Sequence, residues 1–323
     1  MRNEAELLVL AAPEVGLLLR PAEVLEAVRE AFALHSQRVG RIFPVVRERL
    51  RQGAVFGIKT GDVEDQALLG FKAAGFWPAN RAMGSEPHQA TIMLIDPGTG
   101  RPTCLIDGNA ITTARTGAAG ALGLQYLARP DSERLCVFGT GVQARIQVKL
   151  ALETMRCIRE VRYVTANGTP DFSFEAILEG RCASIHATDP NEAAATSDVI
   201  VTATPASGPL FATEAVRPGT HLNCVGADTR GKRELPDGLL PRARVFADDR
   251  QQSQQIGEGQ WYDKIDTTEI GNLVAGDMEY CRQEDEITVF DMTGFALQDL
   301  TVARLLYRRA MHERLGTRIP WPW

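Results

Sequence analysis

Residues 135–144, L-C-V-F-G-T-G-V-Q-A, decide the fold: an apolar run ends in small residues and a helix-forming segment follows. The pattern predicts a strand, a tight turn and a helix over Val142–Thr154. Each small residue has its own task. Gly139 lets the chain turn, Gly141 lets the backbone approach a pyrophosphate, and Ala144 lets helix and strand pack closely. The helix N-terminus then directs free N–H groups and the positive end of its dipole at the phosphates. By itself the motif also suits a strand–helix turn that binds nothing. Here apolar strands recur at 160–165, 199–204, 221–226 and 245–248, with helix-like or loop segments between. That alternation implies a parallel sheet with right-handed crossovers.

Upstream, residues 21–37 carry apolar positions at Val24, Ala27, Val28, Ala31, Phe32 and Leu34, an amphipathic helix beginning at a proline. Short runs at 43–46, 54–59, 68–74 and 91–96 read as strands, and D-P-G-T-G at 96–100 reads as the turn of a hairpin to 103–106. This region is therefore a mixed, mainly antiparallel domain. From Thr112 an Ala- and Gly-rich helix marks the crossover, and 297–314 forms a long helix that returns to the first domain. The fold class is α/β: a Rossmann-type doubly wound sheet plus a mixed α+β N-terminal domain completed by the C-terminal helix. The boundaries fall at 1–115 with 300–323 for the mixed domain and 116–299 for the dinucleotide-binding domain.

A chain of 323 residues with 44% apolar content suits two globular domains, and no apolar run has the length of a membrane helix. Glu4, Glu6 and Glu14 break any resemblance to a signal peptide, so a cytoplasmic address is expected. The six cysteines form no C-x-x-C pair and read as reduced core residues; the five histidines lack metal-ligand spacing, so no metal is expected. A net charge of −6 with no basic block argues against nucleic acid.

In a doubly wound sheet the residues just beyond each strand line the ligand crevice. Thr204 and Val225 stand there, and Asp228 lies where a nicotinamide is expected, though it reads equally as an N-cap or turn aspartate. Around Asn167, in T-A-N-G-T, neither a ribose-binding acid nor a phosphate-binding arginine is present; this leans to NAD(H), with NADP(H) still open. In the first domain Lys72 interrupts an apolar strand, so an anion must be near it. Lys59 and Arg49 read equally as solvated strand residues, and His88 and Gln89 could reach the same space as Lys72.

Together P-V-V-R ending at Arg47, L-G-F-K ending at Lys72, the H-Q-A-T-I-M-L-I-D-P-G-T-G hairpin, T-A-R-T-G-A-A, G-T-G-V-Q-A, D-V-I-V-T-A-T-P, H-L-N-C-V-G-A-D with G-K-R-E-L, and T-G-F-A-L-Q-D-L resemble the ornithine cyclodeaminase and μ-crystallin family over nearly the whole chain. The resemblance implies a homodimer in which the N-terminal domain, completed by the C-terminal helix, serves substrate binding and dimerisation, while a Rossmann domain binds NAD(P). It implies that Arg47 and Lys72 hold the carboxylate of a small anionic imino or amino acid, that Arg115 contacts the cofactor phosphates, and that Asp228 stands beside the substrate amine. Lys72 and Asp228 are then the catalytic pair, and Gln89 joins the substrate group. Thr116, Gly139, Gly141, Val142 and Gln143 belong to the cofactor site, as do Asn167, Thr204, Val225 and Gly294. Two departures stand out: Asp291 replaces a common lysine, and Lys59 is not general to the family. Both resemble the branch that reduces iminosuccinate to L-aspartate with NADH, and Lys59 would supply the extra cation a dicarboxylate needs. An ornithine or lysine cyclodeaminase and a μ-crystallin-like binding protein are the alternatives.

Overall fold

The computed structural model describes residues 5–322. The chain divides into two units, one from the described parts of Met1–Arg115 and Phe295–Trp323, the other from Thr116–Gly294. The second boundary precedes position 300 because the helix starting at Ala296 already packs on first-unit strands. A Cβ at Gly61 would stand 3.4 Å from Ala296 Cβ, and one at Gly70 would stand 2.9 Å from Leu300 Cδ2.

In the first unit, β1 (Ala5–Leu10), β2 (Arg41–Ile42), β3 (Val46–Arg49), β4 (Val55–Val63), β5 (Leu68–Phe76), β6 (His88–Ile95) and β7 (Pro102–Asp107) form one sheet with the strand Thr317–Trp321. The order is Thr317–Trp321, β1, β7, β6, β5, β4, β2, with β3 also on β4. Only the β1–β7 pair is parallel. The strand expected at 43–46 is not formed as such: Phe43 N still donates to Thr60 O at 2.9 Å, but Pro44 has no N–H to donate, and residues 43–45 separate β2 from β3. The expected hairpin is present, with Asp96 Oδ1 accepting from Gly98 N at 2.9 Å. The helices Pro21–Ser36 and Ala296–Glu313 pack on each other, Phe32 and Phe295 meeting with ring centroids 5.9 Å apart, and the second covers β4 to β6.

In the second unit, β8 (Arg134–Phe138), β9 (Glu160–Val164), β10 (Ala183–His186), β11 (Val199–Thr202), β12 (His221–Cys224), β13 (Ala243–Ala247), β14 (Thr267–Glu269) and β15 (Ile287–Asp291) form a parallel sheet in the order β10, β9, β8, β11, β12, β15, β13, β14. The strand order reverses at the first strand, β8, between β9 and β11; such a switch point opens a crevice at the carboxyl ends. The strands β11, β12 and β15 are buried throughout, as strands covered on both faces must be. Sequence reading missed β10, β14 and β15. Two are short, and β15 enters between β12 and β13, out of chain order.

The helix Gly108–Leu127 carries the chain from one unit into the other. Its glycines allow close approach by neighbouring side chains: a Cβ at Gly120 would fall 1.9 Å from Gln147 Oε1, and one at Gly123 2.6 Å from Phe290 Cδ1. Cys104, Cys136 and Cys224 are buried strand residues, whereas Cys281 is exposed. Among the described residues no helix is long and apolar enough to cross a membrane.

Candidate functional site

Register assembles the first unit's polar cluster. Lys59 on β4 lies directly opposite Lys72 on β5, and Arg47 on β3 lies opposite Gly57, two residues from Lys59. Directly paired residues share a face, so all three cations point to one side. On β6 the residues sharing that side are Ile92, Ala90 and His88, paired with Lys72, Ala74 and Phe76. Gln89 pairs with Gly75 and belongs to the opposite face, where its Nε2 donates to Glu86 O at 2.9 Å. The structure therefore does not bring Gln89 to the cations; His88 takes that place. Alternation alone cannot tell which of two adjacent polar residues faces inward, because a one-residue slip exchanges them.

The cluster is strongly unbalanced in charge. Among the described residues of this unit the buried charged side chains are Lys59, Lys72, Arg115 and Asp299, three cations to one carboxylate. Lys72 Nζ lies 2.6 Å from Asp299 Oδ2, and Arg115 Nε lies 3.1 Å from Asp299 Oδ1. The Arg115 Nη1 also donates to Gln298 Oε1 at 3.0 Å, and Lys72 Nζ to Thr112 Oγ1 at 3.4 Å. Burial draws the Lys72 amine down to about 8 against the pull of Asp299, with Arg115 and Arg47 adding to the drop. Burial alone would raise Asp299, but Lys72, Arg115 and Lys59 outweigh it and hold the carboxyl below its ordinary value. His88 is lowered too, by burial and then by Lys72 and Arg115. Gly57, Ala74 and Ala90 lie in register beside the cations, so the neighbouring side chains on that face are small. Such a site suits an anionic ligand, since like charges opposed across strands repel. Asp299 and Gln298 were missed in sequence, where Q-D reads as the polar face of an amphipathic helix.

In the second unit the glycine turn has the expected form. Gly139 adopts φ +96°, and a Cβ there would stand 2.8 Å from Ala203 O. Gly141 caps the helix Val142–Thr154 in an extended conformation without a side-chain cap, and a Cβ on it would meet nothing within 4 Å. Val142 is exposed, and Gln143 Oε1 is a buried acceptor without a hydrogen-bond partner among the described residues. Open backbone donors, helix dipole and an orphaned acceptor fit a polar, anionic ligand at this turn. Thr116 is buried, and its carbonyl accepts from Gln147 Nε2 at 2.7 Å.

Asn167 Oδ1 accepts from Thr169 N at 3.2 Å in an exposed turn. The fold supplies what its neighbourhood lacked in sequence: Arg145 Nε donates to Thr140 O at 2.9 Å, and its Nη2 lies 3.1 Å from Asp171. A cation and an acid thus reach the G-T-G turn, engaged with each other. Farther along the strand ends, Val225 N donates to Thr202 O at 2.8 Å, and Thr204 donates from N and Oγ1 to Glu234 Oε1, each at 2.7 Å. Asp228 is half-buried beyond β12; its Oδ1 accepts from Lys232 Nζ at 2.8 Å and Thr229 Oγ1 at 3.0 Å. Gly294 adopts φ +70° and donates its N–H to Asp248 Oδ2.

Asp291 is wholly buried at the end of β15, its Oδ2 accepting from Ser253 Oγ at 2.6 Å and Gly259 N at 3.3 Å. Burial raises it to about 7, and burial with Asp291 and Glu234 nearby raises Glu258 to about 8. Acids raised on folding bind more protons in the native state, so their contribution to stability is lost as pH rises through those values. The melting temperature should therefore fall from about pH 4, where these acids titrate in the unfolded chain, to about pH 8, where the folded values are passed, each kcal/mol being worth about 2–4 °C. Asp291→Asn should flatten that decline. Thermal melts across this range that show the same slope in both proteins would contradict it.

A family model described as the ornithine cyclodeaminase/mu-crystallin family matches residues 5–314. An iminosuccinate reductase of Paracoccus denitrificans is 35% identical over 97% of this chain and 99% of its own. Its crystal structure in complex with NAD+ superposes with a TM-score of 0.89 at 34% identity, covering 98% and 99% of the two chains. An archaeal alanine dehydrogenase dimer with bound NAD gives a TM-score of 0.90 at 31% identity, covering 98% and 100%. The Δ1-pyrroline-2-carboxylate reductase of Thermococcus litoralis, in complex with NADH and L-proline, gives 0.87 at 28%, covering 97% and 100%.

Proposed function

The chain belongs to the ornithine cyclodeaminase/mu-crystallin family, and from that premise we propose that it is an NAD(H)-dependent imine reductase acting on a dicarboxylic imine, iminosuccinate before others, to give L-aspartate. The observation that carries the substrate is the buried excess of cations, with Lys59 in register opposite Lys72. Arg47 and Lys72 hold the carboxylate beside the imine carbon, and Lys59 meets the distal one. Arg115, already braced by Asp299 and Gln298, keeps further donors for an anion. Asp228 supplies the negative charge that complements the iminium nitrogen. The residues of the glycine turn, with Thr204, Val225 and Gly294, are assigned to the cofactor, which supplies the hydride that reaches C2. NADH is preferred over NADPH, because Arg145 is held by Asp171, Ser173 and Thr140 rather than offered to a 2′-phosphate. A homodimer, the state of the archaeal alanine dehydrogenase, is part of the proposal.

The test is a pair of substrates. Removing one charge-assisted contact to a carboxylate costs about 1.5–3 kcal/mol, roughly tenfold to a hundredfold. Lys59→Met should therefore weaken kcat/KM for iminosuccinate by that much and spare iminopyruvate, which has no second carboxylate. Equal losses on both, or on neither, would leave a monocarboxylate imine reductase as the better description. Wild-type turnover with NADH in oxaloacetate and ammonia is the baseline, and its absence would retire the activity itself.

A further inference from the structure

Three buried carboxylates of the second unit are connected in series, each holding the backbone of the next. Asp291 Oδ2 accepts from Gly259 N at 3.3 Å, and its carboxylate also accepts from the Glu258 backbone N–H. Glu258 Oε1 accepts from Glu234 N at 2.8 Å and Leu235 N at 3.3 Å. Glu234 then accepts from Thr204 N and Oγ1 through Oε1, and from Gly226 N at 2.8 Å through Oε2. The first two carboxylates hold segments within the unit's interior, whereas the last reaches the carboxyl ends of β11 and β12. There the strand ends nearly touch, since a Cβ at Gly226 would fall 2.2 Å from Thr204 O.

We propose that Glu234 is a positioning residue that sets the spacing of the Thr204 and Gly226 segments, and through Gly226 the seat of Asp228, for the nicotinamide half of the dinucleotide. The inference rests on the NAD(H)-binding reading above. Physically, a carboxylate offers acceptors on both oxygens, and Glu234 uses them on two different loops. An amide of the same size offers one acceptor and turns an N–H₂ against the other loop's donor. It fills the space but cannot hold both ends. Among the hydrogen bonds described Glu234 makes none to the glycine turn at 139–141, and Ala203, which borders that turn, donates its N–H to Phe138 O at 3.1 Å rather than to Glu234, so the adenosine diphosphate half should sense the change far less than the nicotinamide half.

The experiment compares Glu234→Gln with wild type in binding NADH and ADP, by fluorescence and calorimetry, and in amide hydrogen exchange. NADH affinity should fall about tenfold or more while ADP affinity stays within about twofold. Exchange at the Thr204 and Gly226 amides should accelerate, with Ile200 and Leu222 unaffected. Parallel loss of NADH and ADP, or no change in either, would overturn the proposal in favour of a merely structural carboxylate. Should the amide variant fold poorly, Glu234→Asp keeps the charge but is too short to span both loops, and the same selective loss is expected of it. A wild-type protein that binds neither NADH nor ADP would instead refute the cofactor reading itself.

Discussion

Lys72→Met lowers kcat/KM by about a hundredfold or more on iminosuccinate and iminopyruvate alike, and raises the melting temperature while doing so: that is the expected result. The loss follows from removing a charge-assisted contact, about 1.5–3 kcal/mol, and from a substrate no longer held with C2 in place. The gain follows from the charge balance of the cluster. Burial pulls Lys72 down to about 8 even with Asp299 2.6 Å away. A base depressed on folding opposes the native state at every pH below its folded value, and relief comes only as pH rises through about 8 toward its ordinary value. Met, flexible and of similar length, removes that cost and leaves Asp299 paired with Arg115 at 3.1 Å. Asp299→Asn should do the reverse, leaving buried cations uncompensated at a cost of about 3–5 kcal/mol. Calorimetric melts beside steady-state kinetics decide the matter. If Lys72→Met melts lower and keeps its turnover, Lys72 is a structural ion-pair member and nothing more.

The second large effect is expected at Asp228. Asp228→Asn should reduce kcat about a hundredfold or more and leave NADH affinity within about threefold, as for a charge used chiefly at the reacting centre. An amide oxygen can still accept from Lys232 and Thr229, whose donors lie 2.8 Å and 3.0 Å from Oδ1, so the loop keeps its shape. Stopped-flow reduction and NADH titration separate the two quantities. Matching losses in binding and turnover would mark a turn residue, and intact turnover would remove Asp228 from the chemistry.

Lys72 was legible in the sequence because a lysine in an apolar strand demands an explanation, and Gly139 because a strand that ends in closely spaced small residues before a helix demands a tight turn. Asp299 was not. It stands in a helix whose residues from Ala296 to Ala303 are all buried, so the usual division into apolar and polar faces gives no warning. Gln89 and His88 were both in view, and only the pairing of β5 with β6 chooses between them. Arg145 and Asp171 lie 26 residues apart, and their meeting at the glycine turn is a property of the fold. The short edge strands and the split at Pro44 were lost for a related reason. Few residues carry each signal, and neighbours in space decide the outcome.

The strand β1 pairs on one side with Thr317–Trp321 and on the other with β7, and the helix Ala296–Glu313 lies on β4 to β6. The second unit, by contrast, is one uninterrupted stretch, Thr116–Gly294. During synthesis that stretch is therefore available to fold while the sheet made earlier still lacks its edge partner and its covering helix. At about 5–20 residues per second the wait lasts on the order of seconds. For that interval Gly61 and Gly70, with the apolar side chains beside them, form an open sheet face on the nascent chain. The order of assembly is thus the inverse of the order of translation: the part written first is closed last.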